Sequence, residues 1–222
     1  MKVLYIDCFG GFTSSMLLGA LIDMGASANF ACVELKHMGI EADIISDRIN
    51  RCGMEAVFAY AKCLCRESDI CTRYEALIQT MCEELGEDFA QSENVCTWAA
   101  VLCCMDFFGA DKIICSPLTD GSGIDASTGE PIPSARVADI ARKYKMPIRS
   151  IDVQSTLVSS EGAVFLGEAV DEFGVLPLGN ILCIGYGAGE VKDSTCPNIV
   201  RCVLTETDDG SVFAQDMQML FV

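Results

Sequence analysis

The opening of the chain constrains its fold most. Residues 2–6, KVLYI, form a short apolar run that stops at Asp7, the signature of a buried strand. Gly10-Gly11 then breaks the chain, and Thr13 or Ser14 stands where a helix N-cap belongs. Met16, Leu17, Ala20, Leu21 and Met24 follow at helical spacing, and Gly25 closes the segment. A buried strand passing directly into an amphipathic helix is the first unit of an α/β sheet.

The alternation continues. A second helix is predicted over 28–38. Strands over 42–49 and 55–64 flank Arg51-Cys52-Gly53 as a hairpin. Helices follow over 70–85 and 93–108, the latter apolar almost all round and therefore buried. A strand over 112–115, a helix over 134–144, a strand over 153–158 and a helix over 161–173 come next. The last strands are 181–185 and 199–205, with a glycine-rich turn at 185–189. Residues 116–134, SPLTDGSGIDASTGEPIPS, read as one long loop. The fold class is α/β, a mixed sheet flanked by helices, in a single domain over 1–206 with a short tail over 207–222.

Charge narrows the partners. Lys and Arg number 15 against 32 Asp and Glu, a formal net charge of −17. Such a chain is repelled by nucleic acid and by anionic membrane surfaces. No apolar run reaches the roughly 18 residues of a membrane span. Asp7 interrupts what would be a signal-peptide core, so a cytoplasmic protein is expected. The 14 cysteines contain no CxxC pair and read as reduced, buried thiols rather than a disulfide frame.

Three segments carry candidate chemistry. Asp7-Cys8-Phe9-Gly10-Gly11-Phe12-Thr13-Ser14-Ser15 brings an acid to a strand end, then glycines that permit close backbone approach, then the positive end of a helix. Ser159-Ser160-Glu161-Gly162 places two hydroxyls at a helix start, as caps or as an anion site. Gly185, Gly187 and Gly189 permit close approach after a strand. His37 is the sole histidine and lies near a helix C-terminus as a surface residue, which argues against a Ser/His/Asp hydrolase. Cys8 as the nucleophile of a small-metabolite enzyme is a further reading.

Taken together, the segments resemble the LarC-type nickel-insertion proteins of nickel-pincer cofactor biosynthesis. The resemblance rests on MKVLYIDCFGGFTSSMLLGALIDMG, Asp106-Phe107-Phe108-Gly109-Ala110-Asp111, Ser116-Pro117-Leu118, Gly121-Ser122-Gly123 and Pro131-Ile132-Pro133. Gly162-Ala163, Gly185-Tyr186-Gly187-Ala188-Gly189 and Pro197-Asn198-Ile199-Val200-Arg201 follow in order, so it spans nearly all of 1–206. It implies insertion of nickel into a dithiocarboxylated pyridinium nucleotide, with CTP hydrolysis.

The chain departs from that family at pointed positions. Ser15 replaces an acid, Thr128 a histidine, and Leu85-Gly86-Glu87-Asp88 a His-x-His-Glu motif. Thr-Pro-Thr-Gly becomes Ser159-Ser160-Glu161-Gly162. The chain stops where the family's second, CTP-binding domain begins. With those imidazoles absent, Asp7, Cys8, Glu87 and Asp88 are the candidate metal ligands by residue type alone, with Glu93 as a further carboxylate and Cys96 as a further thiolate. Asp7, Gly10, Gly11, Thr13, Ser15, Ser159, Ser160, Gly162, Gly185, Gly187 and Gly189 are the expected precursor-binding residues. Nickel is the expected metal, and CTP with magnesium or manganese enters only with a separate chain carrying the second domain. A homo-oligomer is a further expectation. The alternative is a non-catalytic paralogue that carries or regulates the precursor or the insertion protein.

Overall fold

The computed structural model describes residues 1–66, 75–91, 93–191 and 196–207. In chain order the elements are β1 (Lys2–Asp7), α1 (Ser14–Asp23), α2 (Ala28–His37), β2 (Ile40–Arg51), β3 (Met54–Arg66), α3 (Glu75–Leu85), α4 (Glu87–Gln91) and α5 (Asn94–Phe108). They continue as β4 (Lys112–Cys115), β5 (Leu118–Asp120), β6 (Gly123–Ile124), β7 (Pro131–Ile132), α6 (Ala135–Tyr144), β8 (Ile148–Ser150), α7 (Ser160–Ala169), β9 (Glu172–Phe173), β10 (Asn180–Ala188) and β11 (Ile199–Glu206).

Seven strands form one mixed sheet in the order β2-β3-β10-β11-β1-β4-β9. β1 lies inside it, parallel to β4 and antiparallel to β11, with Ile6 opposite Cys202 and Asp7 opposite Arg201. Alternation along β1 sends Leu4, Ile6 and Cys8 into the main core, while Val3 and Tyr5 join a small cluster on the other face. The helices pack on the first face. Trp98 of α5 stacks on Phe165 of α7 with ring centroids 4.5 Å apart, and Phe12 lies 6.2 Å from Trp98. The opposite face carries two smaller clusters, one around Val3 and Tyr5 and one around Ala56, Ala188 and Ile199.

The predicted mixed α/β sheet is therefore the observed fold, and the hairpin at Cys52-Gly53 is present. Several local expectations are corrected. Residues 153–158 form no strand. The carboxylates of Asp125 and Asp120 accept the N–H groups of Thr156 and Leu157 at 2.7 Å each, donors that a neighbouring strand would otherwise engage. The strand of this region is β8, paired with β5. Loop 116–134 contains β5, β6 and β7. The helix over 161–173 ends at Ala169, and β9 follows. Residues 185–188 belong to β10 rather than to a turn. α4 was not expected, and the start of the predicted helix over 70–85 and the tail from 208 lie outside the described residues. No helix among the described residues is long and apolar enough to cross a membrane.

Candidate functional site

The carboxyl ends of β1 and β10 open onto a cavity of about 260 Å³. Open α/β sheets bind ligands in such crevices. Three helices start there. Thr13, the N-cap of α1, accepts the Met16 N–H at 3.3 Å and lies 3.0 Å from the Ser15 hydroxyl. Ser159, the N-cap of α7, accepts the Gly162 N–H at 3.0 Å. Asn94 and Thr97, from the first turn of α5, complete the wall. The first-turn N–H groups of a helix have no acceptor within it, so three positive helix ends meet at one cavity.

Thr97 is 3% exposed, and its hydroxyl accepts the Ala61 N–H at 3.1 Å, which ties α5 to β3. Asn198 is 2% exposed and lines the same cavity. Two carboxylates, Glu161 and Glu190, also face it, and Asn94 Nδ2 donates to Glu161 at 3.0 Å. A second groove of about 370 Å³ adjoins it through Thr156 and Ser159 and includes Ser160 and Thr128. The arrangement thus offers hydroxyls and N–H donors for an anion, with carboxylates beside them for a cationic part of the same ligand.

Of the candidate residues, Thr13, Ser15 and Ser159 line this cavity, and Ser160 lines the adjoining groove. The glycines have a different neighbourhood. Gly185 and Gly187 present their Cα atoms to the backbone of α1, where a side chain would overlap the carbonyls of Ala20 and Met16. Gly10 abuts Pro197 and Ile199, Gly162 abuts Phe12, and Gly189 abuts Asn198. Gly11 has φ +107° and lies against Leu157. The close approach these glycines permit is between parts of the protein itself.

The expected metal set does not converge. Asp7 accepts from Arg201 Nη2 at 2.6 Å on the sheet face opposite the helices. Cys8 is fully buried on the other face, its Sγ 3.5 Å from that of Cys115. Burial, with Cys115 and Cys202 beside it, pushes the Cys8 thiol well above the ordinary range, the reverse of an activated nucleophile. Glu87 and Asp88 are exposed on α4. Among the described residues, no group of three or more His, Cys, Asp or Glu is placed to hold a metal ion. His37 is exposed in the last turn of α2 and lies 3.5 Å from Glu34.

Sequence reasoning missed Asn94, Thr97 and Asn198. A lone threonine in an otherwise apolar helix was the available signal for Thr97, since a buried hydroxyl needs a partner.

The cavity thus gathers three helix N-termini and a set of hydroxyls at the strand ends of an α/β domain. The chain belongs to the nickel insertion protein family, whose pattern matches residues 4–86 and 87–220. It is 24% identical over 262 residues to the pyridinium-3,5-bisthiocarboxylic acid mononucleotide nickel insertion protein of Acetivibrio thermocellus, covering 99% of this chain and 64% of the relative. Proteins of the same name in Staphylococcus epidermidis and Thermotoga petrophila are each 27% identical, covering 93% and 90% of this chain. The chain spans 60–64% of the length of these relatives. No solved structure matches it.

Proposed function

We propose that this chain binds a pyridinium mononucleotide in the 260 Å³ cavity and takes part in inserting nickel into it. The convergence of the α1, α5 and α7 N-termini carries the reading. The phosphate of the mononucleotide takes the hydroxyls of Thr13, Ser15 and Ser159 and the first-turn N–H groups of α1 and α7. Glu161 and Glu190 face the pyridinium cation and the incoming nickel ion, which is a substrate. The cavity and its neighbouring groove hold the phosphate and the ring of one ligand. CTP with magnesium or manganese belongs to the second-domain part of the reaction.

The test is calorimetric titration of pyridinium-3,5-bisthiocarboxylic acid mononucleotide into wild type and Ser14→Asp. α1 has no acid in its first turn, so Ser14→Asp favours the helix while placing a negative charge at the cavity. Wild type binds with micromolar affinity, and Ser14→Asp, folded and at least as stable, does not. Equal binding by both, or none by wild type, overturns the reading.

A further inference from the structure

Asp120 stands at the end of β5 with no exposed surface. Its Oδ1 accepts the N–H groups of Gly121 at 2.9 Å and Leu157 at 2.7 Å. Its Oδ2 is buried without a geometric hydrogen-bond partner, although the Val158 N–H still favours the charged carboxylate. A carboxylate in that state costs stability, so its presence calls for a compensating role.

The bonds it makes lead to the cavity. Leu157 in turn accepts the Phe12 N–H on its carbonyl at 2.9 Å, and the Phe12 carbonyl accepts the Ser159 N–H at 3.1 Å. Phe12 and Val158 form a parallel bridge. Phe12 precedes the Thr13 cap of α1, and Ser159 is the cap of α7. One run of hydrogen bonds therefore passes from Asp120 through Leu157 and Phe12 to Ser159, between the two caps of the anion cavity. Asp125 adds a bond to Thr156 at 2.7 Å but reaches neither cap.

We propose that Asp120 is the positioning residue of this cavity, holding Leu157 and thereby the spacing between the Thr13 and Ser159 caps. Its consequence for ligand binding rests on the function proposed above. Asp120 touches no ligand in this arrangement. It sets the geometry that the two caps present.

Amide hydrogen exchange followed by NMR tests the inference without a ligand. In Asp120→Asn, the amides of Leu157, Phe12 and Ser159 exchange about tenfold faster while β1 and the interior of α1 keep their protection. A uniform change throughout the chain, or no change at Phe12 and Ser159, overturns it. In wild type the same three amides open in one event, and separate opening overturns it even if the variant does not fold. Nicotinic acid mononucleotide then serves as the ligand probe. Its affinity falls about tenfold in Asp120→Asn and not in the exposed control Asp139→Asn. Failure of wild type to bind this probe counts against the functional reading, while the exchange result decides the positioning role by itself.

Discussion

The side-chain amide of Asn198 donates from Nδ2 to the carbonyl of Gly10 at 2.8 Å, across 188 positions of sequence. Its Oδ1 accepts the Val191 N–H at 3.1 Å. One buried amide thus joins the β1–α1 turn to the segment after β10, two walls of the cavity. Asn198→Ala orphans both backbone groups and costs about 2 kcal/mol, the scale of a buried unsatisfied polar group. Urea denaturation measures it. A change below the error of the midpoint would show that water replaces the amide.

Gly187 makes a steric prediction. It lies in β10 on the face covered by α1, opposite Val200 and beside Met16. A methyl group there overlaps the backbone of α1 rather than a side chain able to turn away. Gly187→Ala therefore destabilises by about 3 kcal/mol, at the upper end for overpacking. An unchanged melting temperature would contradict the close helix–sheet contact.

The two buried aspartates respond to pH in opposite directions. Hydrogen bonds from Ser127 and Thr156 hold the Asp125 carboxyl far below its ordinary 3.8. Its contribution is present above pH 3.8 and is lost as pH falls toward the folded-state value. Burial raises the Asp120 carboxyl above 3.8. Its contribution is therefore greatest below 3.8 and is lost as pH rises through the folded value. Asp125→Asn flattens the acid limb of the stability curve. Asp120→Asn removes a loss that wild type suffers as pH rises from the acid range. Denaturation midpoints across pH 2–7 (roughly two units below and three above the reference carboxylates) check both signs.

Much of the fold follows from period and punctuation alone. β1, α1 and the β2–β3 hairpin are legible because alternation, a cap and a Cys52-Gly53 turn agree locally. The short strands of 116–134 are not. β5 finds its partner β8, from Leu118 opposite Ile148 to Asp120 opposite Ser150, only after α6 has brought the chain back. Residues 153–158 have strand-like composition, but Asp120 and Asp125 claim their N–H groups. Gly185 and Gly187 suggest a turn in sequence because the helix that excludes their side chains is far away in the chain. At the site, the caps Thr13 and Ser159 were visible as capping residues. The third helix is legible over 93–108, but its place at the site through Asn94 and Thr97 is not, because α5 is apolar almost all round.

Thiol reactivity separates burial from exposure. Among the described residues none of the thirteen cysteines is in a disulfide. Burial pushes Cys103 and Cys104 up to about 12, and raises Cys8 and Cys202 as well. Cys52 and Cys65 are exposed. Iodoacetamide at neutral pH modifies these two first and leaves Cys8, Cys103, Cys104 and Cys202 intact until unfolding. Mass mapping that finds Cys8 among the earliest sites would restore a nucleophilic role for it.

The caps themselves give the last prediction. Thr13→Ala and Ser159→Ala each remove one acceptor for an N–H of the first turn, at a cost of about 1 kcal/mol. The two sites are not independent. Phe12, next to the first cap, accepts the N–H of the second at 3.1 Å. Fraying of α1 at Thr13 loosens Phe12, and with it the bond that seats Ser159. Residues sharing one hydrogen-bond network show interaction energies of about 0.5 kcal/mol or more in a double-mutant cycle. The double variant should therefore depart from the sum of the singles by at least that amount. The same non-additivity should appear in the affinity for inorganic phosphate, because in the proposed site one anion spans the two helix ends. Additive losses in both measurements would mean that α1 and α7 present their N-termini separately, and that the cavity between them is not one site.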